Sequence, residues 1–184
     1  MILSLTGTPG TGKTSISRIL RENDFKVIDL NKIAIDFDFV IDKDKKRNSN
    51  IIDIKKLDRF ILDEYRGKDM VIIEGHLSHL LNCVNKVVVL RCNPSKLREY
   101  LSERQWPKEK INENVEAEIL DIILCETLEL HDKRDVIELD VSNLSIEQSA
   151  NTIIDIIKKE FKNIKKYKIG KIDWSEDILK DWKD

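Results

Sequence analysis

One glycine-rich segment, LTGTPGTGKTSI at positions 5–16, restricts the fold of this chain more than any other feature. The chain has 184 residues but only six glycines and three prolines, and three of those glycines and one proline lie in this segment. Glycine loses more backbone freedom on folding than any other residue, so ordering the segment costs stability. The clustering therefore indicates that the backbone itself is used here.

The flanks of this segment indicate its structural context. The apolar run Ile2–Leu5 before it predicts a strand, and the spacing of Ile16, Ile19 and Leu20 after it predicts a helix with one buried face. Between them, Gly7 to Thr14 matches the phosphate-loop pattern G-x-x-x-x-G-K-[ST] in the strand–loop–helix context that the motif requires.

The chemistry of the motif indicates which groups would bind phosphate. Glycines let successive backbone N–H groups surround phosphate oxygens, and the first turn of a helix adds further donors. Lys13 would reach the β- and γ-phosphates, the Thr14 hydroxyl would ligate Mg²⁺, and Ser15 would bond the α-phosphate. The sequence therefore predicts a nucleoside triphosphate site with Mg²⁺.

Composition excludes several other classes of protein. Charged residues make up 36% of the chain but nearly cancel to a net charge of -2, so sequence-specific nucleic-acid binding is not expected. The basic runs at 42–47 and 162–171 are interpreted as solvated surface. Three separated cysteines without a CxxC pair argue against disulfides and structural zinc, which favours a reducing, cytoplasmic location. No apolar run approaches the ~20 residues of a membrane span.

Short apolar runs alternate with helical patterns along the chain. The expected strands are Ile2–Leu5, Phe25–Leu30, Met70–Glu74, Lys86–Leu90 and Val136–Leu139. Near-continuous apolar strands are typical of parallel sheets buried on both faces. This order predicts an α/β fold of the P-loop NTPase class, with three layers (α/β/α) and a five-stranded parallel sheet.

The helices are predicted from periodicity and end signals. Residues 55–66 form a helix that Gly67 terminates, Asn93 and Pro94 begin another, and Ser145 with Gln148 has the form of a capping box. One long helix is expected from about Lys108, with a buried stripe of Ile111, Val115, Ile119 and Ile122. The charged region 36–53 shows no clear period and is interpreted as a mobile insertion.

Chemically reactive residues follow the third expected strand, in the segment IIEGHLSH. Glu74 stands where the Walker-B acid of a phosphate-loop site would lie. There it would orient a metal-bound water or polarise an attacking one. His76 is open to either a functional or a structural role, whereas a structural role is favoured for His79 and His131. The HxxH spacing lacks further ligands for zinc.

Arginines near the middle of the chain could form a clamp. Arg104, with Arg98 and Arg91 upstream, would place guanidinium groups on a flap that closes over phosphates. Arg98 has the alternative of lying on the solvent side of a helix. For Arg104, just before the Gln-Trp-Pro break, the functional interpretation is favoured.

Four segments together carry a resemblance to a known family: LTGTPGTGKT, VIIEGH, VVVLRCNPSKL and INENVEAEIL. They resemble the nucleoside monophosphate kinases, and specifically the archaeal-type form of the adenylate kinase isoenzyme six (coilin-interacting nuclear ATPase) family, over about residues 1–160. The resemblance implies Mg²⁺-dependent transfer of the γ-phosphate from ATP to AMP, with a capacity for ATP hydrolysis. It also implies a role in small ribosomal subunit maturation through a small-subunit ribosomal protein.

The resemblance also implies a layout for the chain. A kinase core would span 1–164, with a monophosphate-binding segment near 29–53, a lid near 103–113, and a C-terminal extension at 165–184. By match, the implied ATP contacts are Gly10, Gly12, Lys13, Thr14 and Ser15, with Arg104 as the lid arginine. Glu74 and His76 match the family's acid and histidine, which makes them catalytic candidates.

Three positions depart from the family pattern. Glu74 replaces an aspartate, so its contact with the metal is expected through a water molecule. The sequence Arg-Gln-Trp at 104–106 replaces Arg-Gly-Tyr, and this change would stiffen the hinge of the lid. Ile35 stands where a phosphate-gripping arginine is expected. Either acceptor binding is weak, or a nearby cation substitutes; the candidates are Arg47, Lys56 and Arg59.

Three hypotheses follow from these features: a monophosphate kinase, an ATPase-driven assembly factor, and a non-catalytic nucleotide switch. The intact Lys13 and Thr14 count against the switch. In the C-terminal extension, Trp174, Ile178 and Trp182 share one helical face, which is expected to dock on the body of the protein rather than on a partner.

Overall fold

β-strands and α-helices alternate along the chain in a computed structural model that describes residues 1–44, 49–67, 69–162 and 164–176. Five strands pair in parallel, in the order β2-β5-β1-β6-β7, which confirms the predicted sheet. These strands are β1 (Ile2–Gly7), β2 (Lys26–Asp29), β5 (Val71–Glu74), β6 (Lys86–Arg91) and β7 (Val136–Asp140).

Helices connect the strands, and two of them, α4 and α7, begin where capping residues in the sequence predicted. They are α1 (Lys13–Glu22), α2 (Leu30–Asp36), α3 (Ile54–Tyr65), α4 (Pro94–Glu103), α5 (Lys108–Ile119), α6 (Ile122–Leu130) and α7 (Ile146–Lys158), with short 3₁₀ turns at Ser78–Leu80 and Lys165–Tyr167. The Asn93 side chain accepts hydrogen bonds from the first turn of α4, and Ser145 and Gln148 form the expected capping box of α7.

Two apolar cores lie on opposite faces of the sheet, which makes the three-layer architecture. Side chains alternate along each strand, since successive residues of a strand point to opposite faces. One core holds Leu3, Leu5, Ile72, Val88 and Leu90 against α1, α4, α5 and α7. The other holds Val71, Ile73, Val87 and Val89 against α2, α3 and α6.

The charged region 36–53 contains two strands that the sequence analysis did not predict. They form an antiparallel pair, β3 (Val40–Asp44) and β4 (Ser49–Ile52), with an irregular register between Val40 and Asp42. The interpretation of this region as a mobile insertion stays a prediction. The alternation of buried apolar and exposed polar residues that marks a strand was obscured, because Ile41 and Ile51 are apolar yet exposed. The partly buried Phe39 and Ile52 pack on the α3 side of the core.

The expected long helix from Lys108 is two helices. The chain breaks between α5 and α6, where Asp121 takes a left-handed backbone conformation with φ of 56°. Its carboxylate pairs with the Arg91 guanidinium, which fixes the break. Ile122 is consequently 40% exposed and does not continue the buried stripe of α5.

The C-terminal region is only partly described. Gly170 N donates to the Glu138 carboxylate at 3.0 Å, which ties the segment after α7 to the outer strand of the sheet. Trp174 is partly buried, while Ile178 and Trp182 lie outside the described residues, so the shared helical face stays a prediction. Within the described ranges, no helix is long and apolar enough to cross a membrane.

Candidate active site

The carboxyl ends of three neighbouring strands meet at one edge of the sheet. β1 ends at the glycine loop, and in the registers Leu5 pairs with Glu74 and Asp29 pairs with Glu74. In open α/β sheets, ligands bind outside these ends of the strands. Strand order therefore places the acid of β5 directly beside the loop.

At two positions in the loop, Gly7 and Gly10, the backbone takes a conformation in which a side chain would be strained and crowded. At Gly7, with φ of 141°, a Cβ would lie 2.5 Å from the backbone oxygen of Leu90. At Gly10, with φ of 104°, a Cβ would lie 2.7 Å from a methyl of Leu97. The loop therefore depends on glycine for its close approach to β6 and α4.

Lys13 is held within the loop. Its ammonium donates to the backbone oxygens of Gly7 at 2.6 Å and Thr8 at 3.0 Å, and the residue is 8% exposed. Burial lowers the pKa of Lys13 to about 8, although the charges of Glu74 and Glu118 oppose this shift. The ammonium thus lies in a dry setting, where its attraction for an anion is stronger than in water.

A cavity of about 520 Å³ opens over the loop. All the residues predicted as ATP contacts or catalytic groups border it: Gly10, Gly12, Lys13, Thr14, Ser15, Glu74, His76 and Arg104. A second cavity of about 500 Å³ shares Gly10, Gly12, Ser15 and Arg104 and extends towards the start of α7. The fold therefore brings the predicted residues together from three separate parts of the chain.

Thr14 and Glu74 supply oxygens suited to Mg²⁺. The Thr14 hydroxyl donates to Glu74 Oε1 at 3.3 Å, and burial, with the nearby charge of Asp29, raises the pKa of Glu74. No cluster of three or more His, Cys, Asp or Glu residues suited to a metal occurs in the part of the chain that the structure describes. Mg²⁺ commonly takes one or two protein oxygens and completes its shell with water and phosphate, so these residues fit it.

His76 and His79 have different surroundings. His76 borders the cavity, and burial together with the charge of Lys13 lowers its pKa to about 4, so the imidazole is neutral at pH 7. His79 is fully buried, with Nδ1 3.1 Å from Thr6 Oγ1 and Nε2 3.0 Å from Glu126. His131 Nε2 lies 2.7 Å from the His79 backbone oxygen. These contacts fit the structural roles predicted for His79 and His131.

The three arginines of the expected clamp separate in the structure. Arg104 is exposed and borders both cavities. Arg91 is 2% exposed and pairs with three carboxylates beneath the loop, so its predicted place over the phosphates was wrong. Arg98 donates to Asn112 at 2.6 Å and joins α4 to α5. Sequence periodicity did not reveal the three carboxylates that hold Arg91, because they come from distant positions.

The turn after Arg104, in the segment predicted to form a lid, has a strained backbone. Gln105 takes a left-handed conformation with φ of 56°, which costs a residue with a Cβ about 1–2 kcal/mol. A glycine, present in the family pattern at this position, would adopt it without that cost. The following Trp106 borders the cavity, with the Lys110 ammonium 4.3 Å from its ring centre.

Some cavity residues were missed from the sequence, and others expected there are elsewhere. Asn31 borders the cavity, and its position just after β2, at the carboxyl edge of the sheet, was the available signal. Neither Lys56 nor Arg59 is among the described residues that border it, and Arg47 lies outside the described part of the chain. Ile35 is 59% exposed.

The lowered pKa of Lys13 predicts weaker ATP binding at alkaline pH. The free protein loses the Lys13 proton near pH 8, so each further pH unit should raise the Kd for an ATP analogue by up to about tenfold. The same shift affects folding stability. Because the folded-state pKa of Lys13 lies below the ordinary 10.5, burial of the ammonium lowers the free energy of unfolding at pH values below 8. This destabilisation fades as the pH rises from about 8 to 10.5. Calorimetric titration between pH 6.5 and 9.5 tests this, and a constant Kd would contradict it.

Comparison with known proteins identifies the family of this chain. A family model described as an AAA domain matches residues 3–121. The protein named "Putative adenylate kinase" from Methanocaldococcus jannaschii is 41% identical over 178 residues, which cover 96% of this chain and 94% of that protein. The protein of the same name from Archaeoglobus fulgidus is also 41% identical over 178 residues, covering 97% and 94% of the two chains.

Solved structures show a related fold. A shikimate kinase from Bacteroides thetaiotaomicron has a TM-score of 0.57 at 18% identity, with 86% of this chain and 98% of that chain covered. A gluconokinase from Sinorhizobium meliloti 1021 has a TM-score of 0.55 at 15% identity, with 88% and 93% covered. At such identities the likeness concerns the fold alone. The near-full-length sequence similarity, in contrast, shows that this chain belongs to the family of P-loop proteins whose archaeal members are named "Putative adenylate kinase".

Proposed function

We propose that this protein is a nucleoside monophosphate kinase of the adenylate kinase type, which converts ATP and AMP into two ADP in the presence of Mg²⁺. One observation carries the proposal: Lys13, Thr14, Glu74 and Arg104 border a single cavity at the carboxyl edge of the sheet. Phosphoryl transfer needs positioned positive charge around the transferred group and a held metal, and these residue types supply both. The names of the archaeal relatives support the same assignment.

The donor side of the cavity suits ATP. Loop amides and the first turn of α1 would bind the phosphates, with Ser15 at the α-phosphate and Lys13 at the β- and γ-phosphates. Mg²⁺, held by Thr14 and through water by Glu74, would neutralise phosphate charge. Because Lys13 already donates to two backbone oxygens of the loop, a small movement would bring its ammonium to a phosphate oxygen.

The transfer itself exchanges one bond for another. An oxygen of the AMP phosphate bonds to the γ-phosphorus while the bond from that phosphorus to the β,γ-bridging oxygen breaks, so each product is ADP. Lys13 and Arg104 would stabilise the charge on the transferring group. Closure of the Arg104 turn would exclude water and so suppress hydrolysis.

The acceptor would lie on the side of the cavity that Asn31 of α2 borders, within the monophosphate-binding segment expected at 29–53. Asn31 borders the cavity there and can bond a nucleotide through its amide. The exposed Ile35 offers no charge to the acceptor phosphate. We therefore expect a higher KM for the monophosphate than for ATP.

A second candidate is an ATPase that acts in small ribosomal subunit maturation. His76 favours it, since a neutral imidazole beside Lys13 at the cavity can accept a hydrogen bond from an attacking water. A small-subunit ribosomal protein would then occupy the acceptor side. The partner rests on the family resemblance, and stimulation of phosphate release by that purified ribosomal protein would test it.

One assay separates the two candidates. Purified protein is incubated with ATP and Mg²⁺, with and without each nucleoside monophosphate, while ADP and free phosphate are measured separately. ADP that forms only with AMP, without free phosphate, supports the kinase. Steady phosphate release without any acceptor supports the ATPase. Absence of turnover in every mixture, despite ATP binding, would contradict both and leave the nucleotide switch.

A further inference from the structure

A buried carboxylate beneath the phosphate loop has no part in the site described so far. Glu118, next to the last residue of α5, is 2% exposed. Its Oε2 accepts from the Thr8 hydroxyl at 2.5 Å, and its Oε1 accepts from Arg91 Nε at 2.8 Å and from the Cys92 backbone N–H at 3.0 Å. Burying a charged carboxylate is costly unless it is paired and fully bonded, and here it is both.

Thr8 connects this carboxylate to the phosphate-binding lysine. The backbone oxygen of Thr8 accepts from the Lys13 ammonium at 3.0 Å, and from the Thr11 backbone N–H at 3.2 Å and hydroxyl at 2.9 Å. Glu118 also acts on Lys13 through its charge, which favours the protonated ammonium. The position of the Thr8 peptide therefore affects where the loop holds its cation.

The other end of α5 belongs to the lid. The helix begins at Lys108, immediately after the turn that carries Arg104 and Trp106 at the cavity. Its 12 residues span about 18 Å as one continuous hydrogen-bonded element, so its two ends move together. A change at the lid turn is thereby transmitted to Glu118.

We propose that Glu118 is a positioning residue that couples the lid helix α5 to the phosphate loop through the Thr8 hydroxyl. The proposal rests on the proposed function, because it assumes that the loop binds ATP. In this arrangement, the orientation of α5 sets the position of Thr8, and Thr8 in turn sets the position of Lys13. An ordered lid then stabilises the loop in the conformation that binds ATP, and the loop in that conformation stabilises the ordered lid.

The test removes the link without removing the buried ion pair. Thr8→Val replaces the hydroxyl with a methyl group of similar size and leaves Glu118 bonded to Arg91. We expect the Kd for a non-hydrolysable ATP analogue, measured by calorimetry, to rise by about tenfold. Glu118→Gln, which also removes one charge of the ion pair, should give at least as large a rise, and Thr8→Val should weaken binding little further in that background, because both residues act through one link. Thr8→Ser restores the hydroxyl and should restore wild-type affinity.

A matched control comes from the same ion cluster. Glu138 pairs with the same Arg91 and accepts from the Gly170 backbone N–H, and among the described residues it forms no hydrogen bond to the loop. Glu138→Gln should lower the melting temperature yet leave the Kd for the ATP analogue unchanged. This separates a general loss of stability from loss of the link to Thr8.

The outcomes distinguish this inference from the proposed function. If Thr8→Val binds the analogue within twofold of wild type, or Glu138→Gln weakens binding equally, the coupling role is wrong while the kinase assignment stands. If the wild-type protein binds no ATP analogue, the proposed function fails and the inference fails with it. Should Glu118→Gln not fold, the Thr8→Val and Thr8→Ser pair decides the matter alone.

Discussion

Lys13→Ala is expected to lower kcat/KM for ATP by about 1,000-fold or more, in both the kinase and the ATPase assays. In the proposed function, Lys13 carries the full positive charge that the loop would direct at the β- and γ-phosphates, and its dry setting would strengthen that attraction. Loop amides would still bind phosphate, so affinity for ATP should fall less than turnover. Steady-state kinetics and calorimetry together measure the two effects.

The fold of the Lys13→Ala variant should survive, and this makes the result interpretable. Burial that lowers the pKa of Lys13 from 10.5 to about 8 corresponds to about 3 kcal/mol against the charged form, which the substitution removes along with two hydrogen bonds. Lys13→Met keeps the length of the side chain and should behave likewise. Lys159→Ala, at an exposed site after α7, is the control and should retain full activity. More than a tenth of wild-type turnover in Lys13→Ala would place the reacting phosphates elsewhere.

Arg104→Ala should reduce kcat by about 100-fold or more, with a smaller change in KM. Arg104 borders both cavities from the lid turn, where its guanidinium can approach the transferring group. An interaction that forms mainly in the transition state lowers kcat and kcat/KM together. Arg104→Lys should recover only part of the loss, because an ammonium cannot form the paired bonds of a guanidinium.

A surface arginine provides the control for Arg104. The Arg134 side chain is 87% exposed and pairs with Asp132 at 2.8 Å, so Arg134→Ala should leave the kinetics unchanged. Because Arg104 is itself exposed, its removal should not change the melting temperature appreciably. A variant that raises KM for ATP while kcat stays at the wild-type value would show that Arg104 binds the ground state alone.

The phosphate loop and the sheet were predictable because their signals are local. The loop needs glycine where the backbone is crowded, as the 2.5 Å approach of a Cβ at Gly7 to β6 illustrates, and this requirement is visible in the sequence. Buried parallel strands are apolar on both faces, so Val71–Glu74 and Lys86–Arg91 stand out as short apolar runs. Each strand of the parallel sheet was found within a few residues of its observed ends.

The parts that failed depend on distant residues. Arg91 was expected at phosphate, but Glu118, Asp121 and Glu138 hold it in a buried cluster. The long helix was expected to continue, but the Asp121 pairing with Arg91 stabilises a break that helical periodicity does not register. The β3–β4 hairpin escaped notice because Ile41 and Ile51 are apolar on its exposed side.

The sequence alone determined the kind of site this chain has: a glycine loop with Lys13 and Thr14, an acid at the end of β5, and an arginine before the lid break. Such features depend on residue type and spacing, which are read directly along the chain. Only the tertiary structure decided that Arg91 is structural, that Asn31 and Trp106 border the cavity, and that Glu118 lies beneath the loop. The physical reason is that a charge acquires its role from the partners and burial that folding brings to it, and these come from positions far apart in the chain.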